Sequence, residues 1–167
     1  MKRLFSPWRS EYIESFHQET EDKSCVFCKA AGETPEDKDS LVVLRGEFIF
    51  VLMNRYPYNN GHLLILPYRH ISNLSDLNEN ERLEIFYLLE LSIEALGKAL
   101  KAQGHNIGTN LGKVAGAGIE DHLHFHIVPR WNGDTNFMPV LNDIKLISEE
   151  MSKTKSKLVS YFKGLNK

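Results

Sequence analysis

His122, His124 and His126 recur at every second residue of the stretch His122-Leu123-His124-Phe125-His126-Ile127-Val128. On a β-strand successive side chains point to opposite faces, so this spacing puts all three imidazoles on one surface. Leu123, Phe125 and Ile127 then turn to the other face, where they can enter a core. On a helix, consecutive members of the set would sit about 200° apart and the cluster would disperse. Three chemistries are open to such a set. Neutral imidazole is a common metal ligand. A histidine nitrogen can also attack an acyl or phosphoryl centre while its neighbours orient it and bind the charge. The bland alternative is one or two core histidines with no chemical role. Three on one face, beside the glycine-rich stretch Gly112 to Gly118, weigh against that alternative.

The only two cysteines, Cys25 and Cys28, are separated by two residues. This spacing suits metal or redox chemistry better than a disulfide framework. No thioredoxin-like strand–helix context surrounds them. As half of a tetrahedral zinc site they would need two further ligands. Cysteine usage, and a charged start without an apolar stretch behind it, lead us to expect a cytoplasmic protein.

The elements that must position these groups follow from periodicity. With 167 residues, 42% hydrophobic and 25% charged, a single soluble domain over residues 1–167 is expected. A net charge of −2 gives no electrostatic footprint for long nucleic acid. No apolar run approaches the roughly 20 residues of a membrane helix. Glu11 to Phe16 suits a short helix. Leu41 to Leu44 and Phe48 to Met53 read as a hairpin, and His62 to Leu66 as a strand ended by Pro67. Asn78 with Glu81 three residues on resembles a capping box. After it, Ile85, Leu89, Ile93, Leu96 and Leu100 form a helical stripe that Gly104 should stop. His105 to Leu111 reads as a strand, the histidine strand runs to Val128, and Pro129 to Asp134 reads as a turn. A last helix is expected from Asp143 to Phe162, with Ile144, Ile147, Met151 and Leu158 inward. Strands, a long helix, strands and a helix, without regular alternation, indicate an α+β fold with an antiparallel sheet of about five strands.

Read together, these residues resemble the histidine triad superfamily of nucleotidyl hydrolases and transferases. The resemblance rests on His-x-His-x-His followed by two apolar residues, on the small-residue loop before it, and on Met53-Asn54-Arg55-Tyr56-Pro57 with Gly61-His62-Leu63-Leu64-Ile65-Leu66-Pro67. Val128-Pro129-Arg130-Trp131-Asn132-Gly133-Asp134-Thr135-Asn136-Phe137 resembles the branch of diadenosine-polyphosphate phosphorylases and hydrolases.

The resemblance implies that His124 attacks the α-phosphorus of a nucleoside phosphate and forms a covalent nucleotidyl-histidine, which water or phosphate then releases. A neighbour's backbone carbonyl can fix the His124 tautomer, and His126 would follow the phosphate charge. His62 would contact ribose or phosphate, and Asn54 the ribose hydroxyls. Asn110 and the backbone from Gly116 to Gly118 would line the phosphates. Relatives carry serine or glutamine where this chain has Gly118, which leaves water and phosphate both open as acceptor. A nucleotide-binding sensor without turnover is the reading from another class. Some relatives complete a structural zinc site with two histidines, and the matching positions beside Cys25 and Cys28 are His70 and His122. No organic cofactor is implied. The expected partners are a small-molecule nucleotide and a second copy of the chain, as a homodimer or dimer of dimers through the long helix. Phe86, Tyr87, Leu88 and Leu91 lie outside that helix's main stripe. Trp131, five residues after His126, is placed either to stack on a purine, directly or across a subunit interface, or to cover the core; the resemblance favours contact.

Overall fold

A computed structural model describes residues 25–134 and 149–165. The helix expected over Glu11 to Phe16, and Ile144 and Ile147, lie outside the described residues. The chain runs α1 (Val26–Ala30), β1 (Val42–Arg45), β2 (Ile49–Met53), β3 (Leu63–Pro67), a 3-10 turn (Leu74–Asp76) and α2 (Glu79–Leu100). It continues with β4 (Gly104–Gly108), a second 3-10 turn (Lys113–Ala115), β5 (Phe125–Arg130) and α3 (Met151–Leu165). The strands form one antiparallel sheet in the order β1-β2-β3-β5-β4. This is the α+β architecture expected.

β2 and β3 are buried along their whole length, which is why they read as unbroken apolar runs. Ile49, Val51, Leu63, Ile65 and Ile127 turn to one face and pack on Ile85, Leu89 and Leu96 of α2 and on Leu158 and Phe162 of α3. Phe50, Leu52, Leu64 and Leu66 turn to the other face, where Phe27 of α1 joins them. The even-numbered histidines share this second, thinner side.

α2 starts at the capping box: Glu81 N–H donates to Asn78 Oδ1 (2.9 Å) and Asn78 N–H to Glu81 Oε2 (2.8 Å). Arg69 donates to both oxygens of the buried Glu81 carboxylate, at 2.7 Å each. Glu84, on the same helix, accepts the backbone N–H groups of Glu47, Phe48 and Ile49 and so ties the β1–β2 hairpin to α2. A side chain at Gly46 would collide with that carboxylate.

Several boundaries differ from expectation. Lys101, not Gly104, ends α2: it takes the left-handed conformation (φ 59°), and Ala102 N–H reaches back to the Leu96 carbonyl. Gly104 instead opens β4, opposite Arg130, and β4 ends at Gly108 rather than Leu111. β5 begins at Phe125 rather than His122, because the residue opposite Leu123 in the β3–β5 register is Pro67, which has no N–H to continue the ladder. Leu123 N–H turns to the Ile71 carbonyl (2.6 Å) and keeps the preceding histidines extended. β5 also continues through Pro129 to Arg130, so the turn starts at Trp131. The Pro129 carbonyl faces away from β4 to Asn59 Nδ2 (2.9 Å); its missing N–H faces the same way and costs the β4–β5 ladder no bond. α3 starts at Met151, with Glu149 and Glu150 outside it.

A lysine at a left-handed position carries a steric cost that glycine lacks. Lys101→Gly should therefore raise the unfolding free energy by about 0.5–1 kcal/mol, read from urea denaturation at constant m-value. No gain would show that the exposed Lys101 side chain holds the turn by other means.

Candidate active site and metal centre

The histidine tautomers are fixed by groups that can only donate or only accept. Tyr58 backbone N–H donates to His62 Nδ1 (3.1 Å), and the Asn54 side-chain amide approaches the same nitrogen at 3.3 Å. His62 Nδ1 is therefore unprotonated, and its Nε2–H donates to His126 Nδ1 at 2.9 Å. The neutral His126 thus carries its proton on Nε2, an enclosed atom with no hydrogen-bond partner among the described residues. His124 is set from the other side. Its Nδ1–H donates to the His122 carbonyl at 2.8 Å, which leaves Nε2 with a free lone pair. The His124 and His126 rings meet edge to face, 5.0 Å between centroids.

Burial holds these groups neutral. It pushes His124 below the ordinary histidine value, against the hydrogen bond to the His122 carbonyl, which pulls the other way. Burial, and then the neighbouring His124, push His126 down to about 4. The Tyr58 ring stacks over His62 (4.9 Å) and His126 (6.0 Å), so one residue fixes the His62 tautomer and covers the pair. The arrangement is a lone-pair nitrogen beside an unspent N–H donor, which suits attack on a centre whose oxygens need a partner.

A second cluster lies at the other end of the same stretch. Ligand atoms of Cys25, Cys28, His70 and His122 all lie within 4.8 Å of one another. His122 Nε2–H donates to the Pro67 carbonyl (2.9 Å), so its Nδ1 lone pair points at Cys25 Sγ (3.5 Å) and Cys28 Sγ (3.6 Å). His70 Nδ1 is 3.2 Å from Cys28 Sγ. A tetrahedral zinc with Zn–N of about 2.0 Å and Zn–S of about 2.3 Å sets such atoms about 3.5 Å apart. The donor set, its spacing and its tautomer fit that ion.

The other anticipated residues divide. Asn54 joins the site through His62, and its Oδ1 accepts Tyr56 N–H (3.0 Å), so the amide is engaged inside the loop. His62 is fully buried, and both its ring nitrogens are hydrogen-bonded within the chain, Nε2–H to His126. Asn110 lies beside Gly116, whose φ of 92° and open surroundings make a close backbone approach possible. Gly118 is exposed in the same loop. Trp131 is not brought to the histidines within the chain. It follows β5 at the end remote from His124, and its indole N–H donates to the Leu100 carbonyl at the end of α2 (3.2 Å). Sequence reasoning missed Thr109, whose hydroxyl donates to the His124 carbonyl at 2.8 Å, and Tyr58 and Phe27, which touch the histidine rings. A backbone contact such as that of Tyr58 has no side-chain signature in a single sequence.

Residues 35–133 match the HIT domain family. A relative named AP-4-A phosphorylase, from Mycobacterium tuberculosis, is 35% identical over 96% of this chain and 84% of its own. The adenosine 5'-monophosphoramidase of Schizosaccharomyces pombe is 28% identical over 77% of this chain and 96% of its own. Among solved structures, a Zn-bound histidine triad family protein from Mycobacterium smegmatis is 26% identical. It covers 86% of this chain and 96% of its own at a TM-score of 0.68. The chain belongs to the HIT domain family. Among the described residues no helix is long and apolar enough to cross a membrane.

The depressed His126 value links pH to stability. The ordinary value, 6.5, applies to the unfolded chain and about 4 to the folded one, so on acidification the unfolded state takes the proton first. The contribution is complete above about pH 6.5 and lost as pH falls towards about 4. Side-chain NMR should find His126 still neutral at about pH 5, and the acid loss of urea stability should be shallower in His126→Gln. A His126 titrating near its ordinary value would remove this basis.

Proposed function

We propose that this HIT-domain chain is a nucleotidyl-transferring enzyme that cleaves diadenosine polyphosphates, or similar adenylylated compounds, at the α-phosphate. The observation that carries the proposal is the tautomer lock on His124, with the unpartnered N–H of His126 beside it. His124 Nε2 attacks the α-phosphorus, a phosphorus–nitrogen bond forms, and the bond to the leaving polyphosphate oxygen breaks. The nucleotide remains on His124 until an acceptor oxygen attacks the same phosphorus and the phosphorus–nitrogen bond breaks. His126 Nε2–H donates to a phosphate oxygen as its charge grows, backed by the His62 N–H, so the donors are in place before reaction. Asn54, Asn110, Gly116 and Gly118 are proposed to bind the ribose and phosphates, and Trp131 to reach a nucleotide only across a subunit interface.

The mycobacterial relative's name favours phosphate as acceptor, in which case an adenylyl group leaves as ADP; water would give AMP. Cys25, Cys28, His70 and His122 would hold a structural zinc ion, which when bound pins α1 to the stretch that carries His124. The proposed assembly is a dimer or dimer of dimers through α2, in the cytoplasm. On α2 Leu83, Phe86 and Tyr87 are exposed by 65%, 69% and 61%, a broad apolar surface for a lone domain. Leu88, grouped with them from the sequence, belongs to the core.

His124→Ala should abolish turnover of diadenosine tetraphosphate and leave its binding within about tenfold, because most ground-state contacts come from elsewhere. Radiolabelled substrate should leave label on His124 after a rapid alkaline, denaturing quench, in which a phosphorus–nitrogen bond to imidazole survives. Residual activity above a few per cent, or label elsewhere, would sink the nucleophile assignment. Chromatography with and without inorganic phosphate separates the acceptors. Elemental analysis should find about one zinc per chain, lost in the Cys25→Ser, Cys28→Ser double variant together with a lower Tm. A monomer in sedimentation at micromolar concentration would contradict the assembly.

A further inference from the structure

Phe27 lies between the two cysteines and points inward. Its ring is 7% exposed and packs with Phe50, Leu52 and Leu64 on the thin side of the sheet. It also touches two histidines. Its centroid lies 5.6 Å from that of His122, edge-on, and 5.0 Å from that of His124, at 54°. The His124 ring is held to the backbone by one hydrogen bond, from Nδ1–H to the His122 carbonyl. Rotation about χ2 is soft for an imidazole, and a half-turn would put Cδ2–H at the carbonyl and move both nitrogens. A packed ring beside the imidazole removes the space for that turn.

We propose that Phe27 is a positioning residue for His124: it holds the imidazole in the orientation whose Nδ1–H meets the His122 carbonyl. It is thereby the part through which the cluster of Cys25, Cys28, His70 and His122 acts on the chemistry. The placement of Phe27 depends on the short α1, five residues with no side-chain cap at its start. Both ends of the Cys25–Cys28 turn belong to the ligand set. Fixing the two thiols fixes the residue between them. Arg45 secures the far end, where its Nη1 donates to the Ala31 and Glu33 carbonyls at 2.6 Å each. Phe50 supplies the contrast. It is wholly buried in the same cluster, and its ring partner is Tyr68 at 5.2 Å.

The inference rests on His124 as nucleophile, yet its first test needs no turnover. Imidazole nitrogen-15 spectra of the full-length, zinc-loaded protein without substrate should show a single Nδ1–H tautomer at His124. Phe27→Leu should give a mixture with unchanged zinc content. Its kcat on diadenosine tetraphosphate should fall about tenfold or more while KM stays within about threefold. Phe27→Tyr, which keeps the ring, should restore both readings. Phe50→Leu should lower Tm by a similar amount and leave tautomer and kcat alone. If Phe27→Leu does not fold, Phe27→Met takes its place in the same comparison. A single tautomer retained in the variant would overturn the proposal. So would a change confined to KM, which would make Phe27 a wall of the nucleotide site, and so would equal effects in Phe50→Leu. A wild type without turnover would refute the enzymatic reading and still leave the tautomer comparison to decide the role of Phe27.

Discussion

The site depends on the three directions in which His122 is held. Its Nε2–H is spent on the Pro67 carbonyl, its Nδ1 faces the two thiols, and its own carbonyl accepts the His124 proton. The first bond is available because β3 ends at a proline, whose carbonyl would otherwise be left at the end of the β3–β5 ladder. One extended residue thus satisfies a strand end, orients a ligand and sets the tautomer of its neighbour. Replacing its ring would leave the Pro67 carbonyl unpaired and loosen the backbone carbonyl that fixes the His124 tautomer.

His124 and His126, the other histidines of the stretch, are held neutral by burial. Buried imidazolium is costly, and each ring here meets a partner that dictates one protonated nitrogen. Tyr58 N–H starts a hydrogen-bonded series at His62, and it ends at His126 Nε2–H. The direction of donation is therefore built into the backbone before any ligand arrives. A charged series would put repelling protons on adjacent rings. A neutral one leaves one lone pair on His124 and one donor on His126 side by side.

Much of this was legible in the sequence. The period of two at His122, His124 and His126 placed the rings on one face. The capping box at Asn78 and Glu81 started the long helix where expected, and the unbroken apolar runs gave the central strands. What failed was decided by tertiary pairing. Gly104 looked like a helix stop, but the chain has to leave α2 and meet Arg130 within a few residues, so Lys101 takes the left-handed position and Gly104 goes into the sheet. Pro129 looked like a turn, but a proline whose missing donor faces away from the neighbouring strand is harmless inside a ladder. Trp131, expected at a nucleotide directly or across a subunit interface, follows β5, and an extended strand carries it away from the histidines of its own chain.

The thin side of the sheet explains why a ligand cluster sits where it does. The helix side closes with two long helices and a large apolar cluster. The histidine side has a six-residue cluster, and α1, only five residues long, supplies one of its members. A five-residue helix has almost no stability of its own and must be tied down by its neighbours. Arg45 does this at one end through two carbonyls, and its guanidinium lies over the Tyr68 ring at 4.9 Å. At the other end the ties are Cys25 and Cys28, which meet His70 just after β3 and His122 at the head of the histidine stretch. Tying a small cover in place lets a single ring, Phe27, shield the His122 and His124 rings from water, where a thick apolar layer would otherwise be needed.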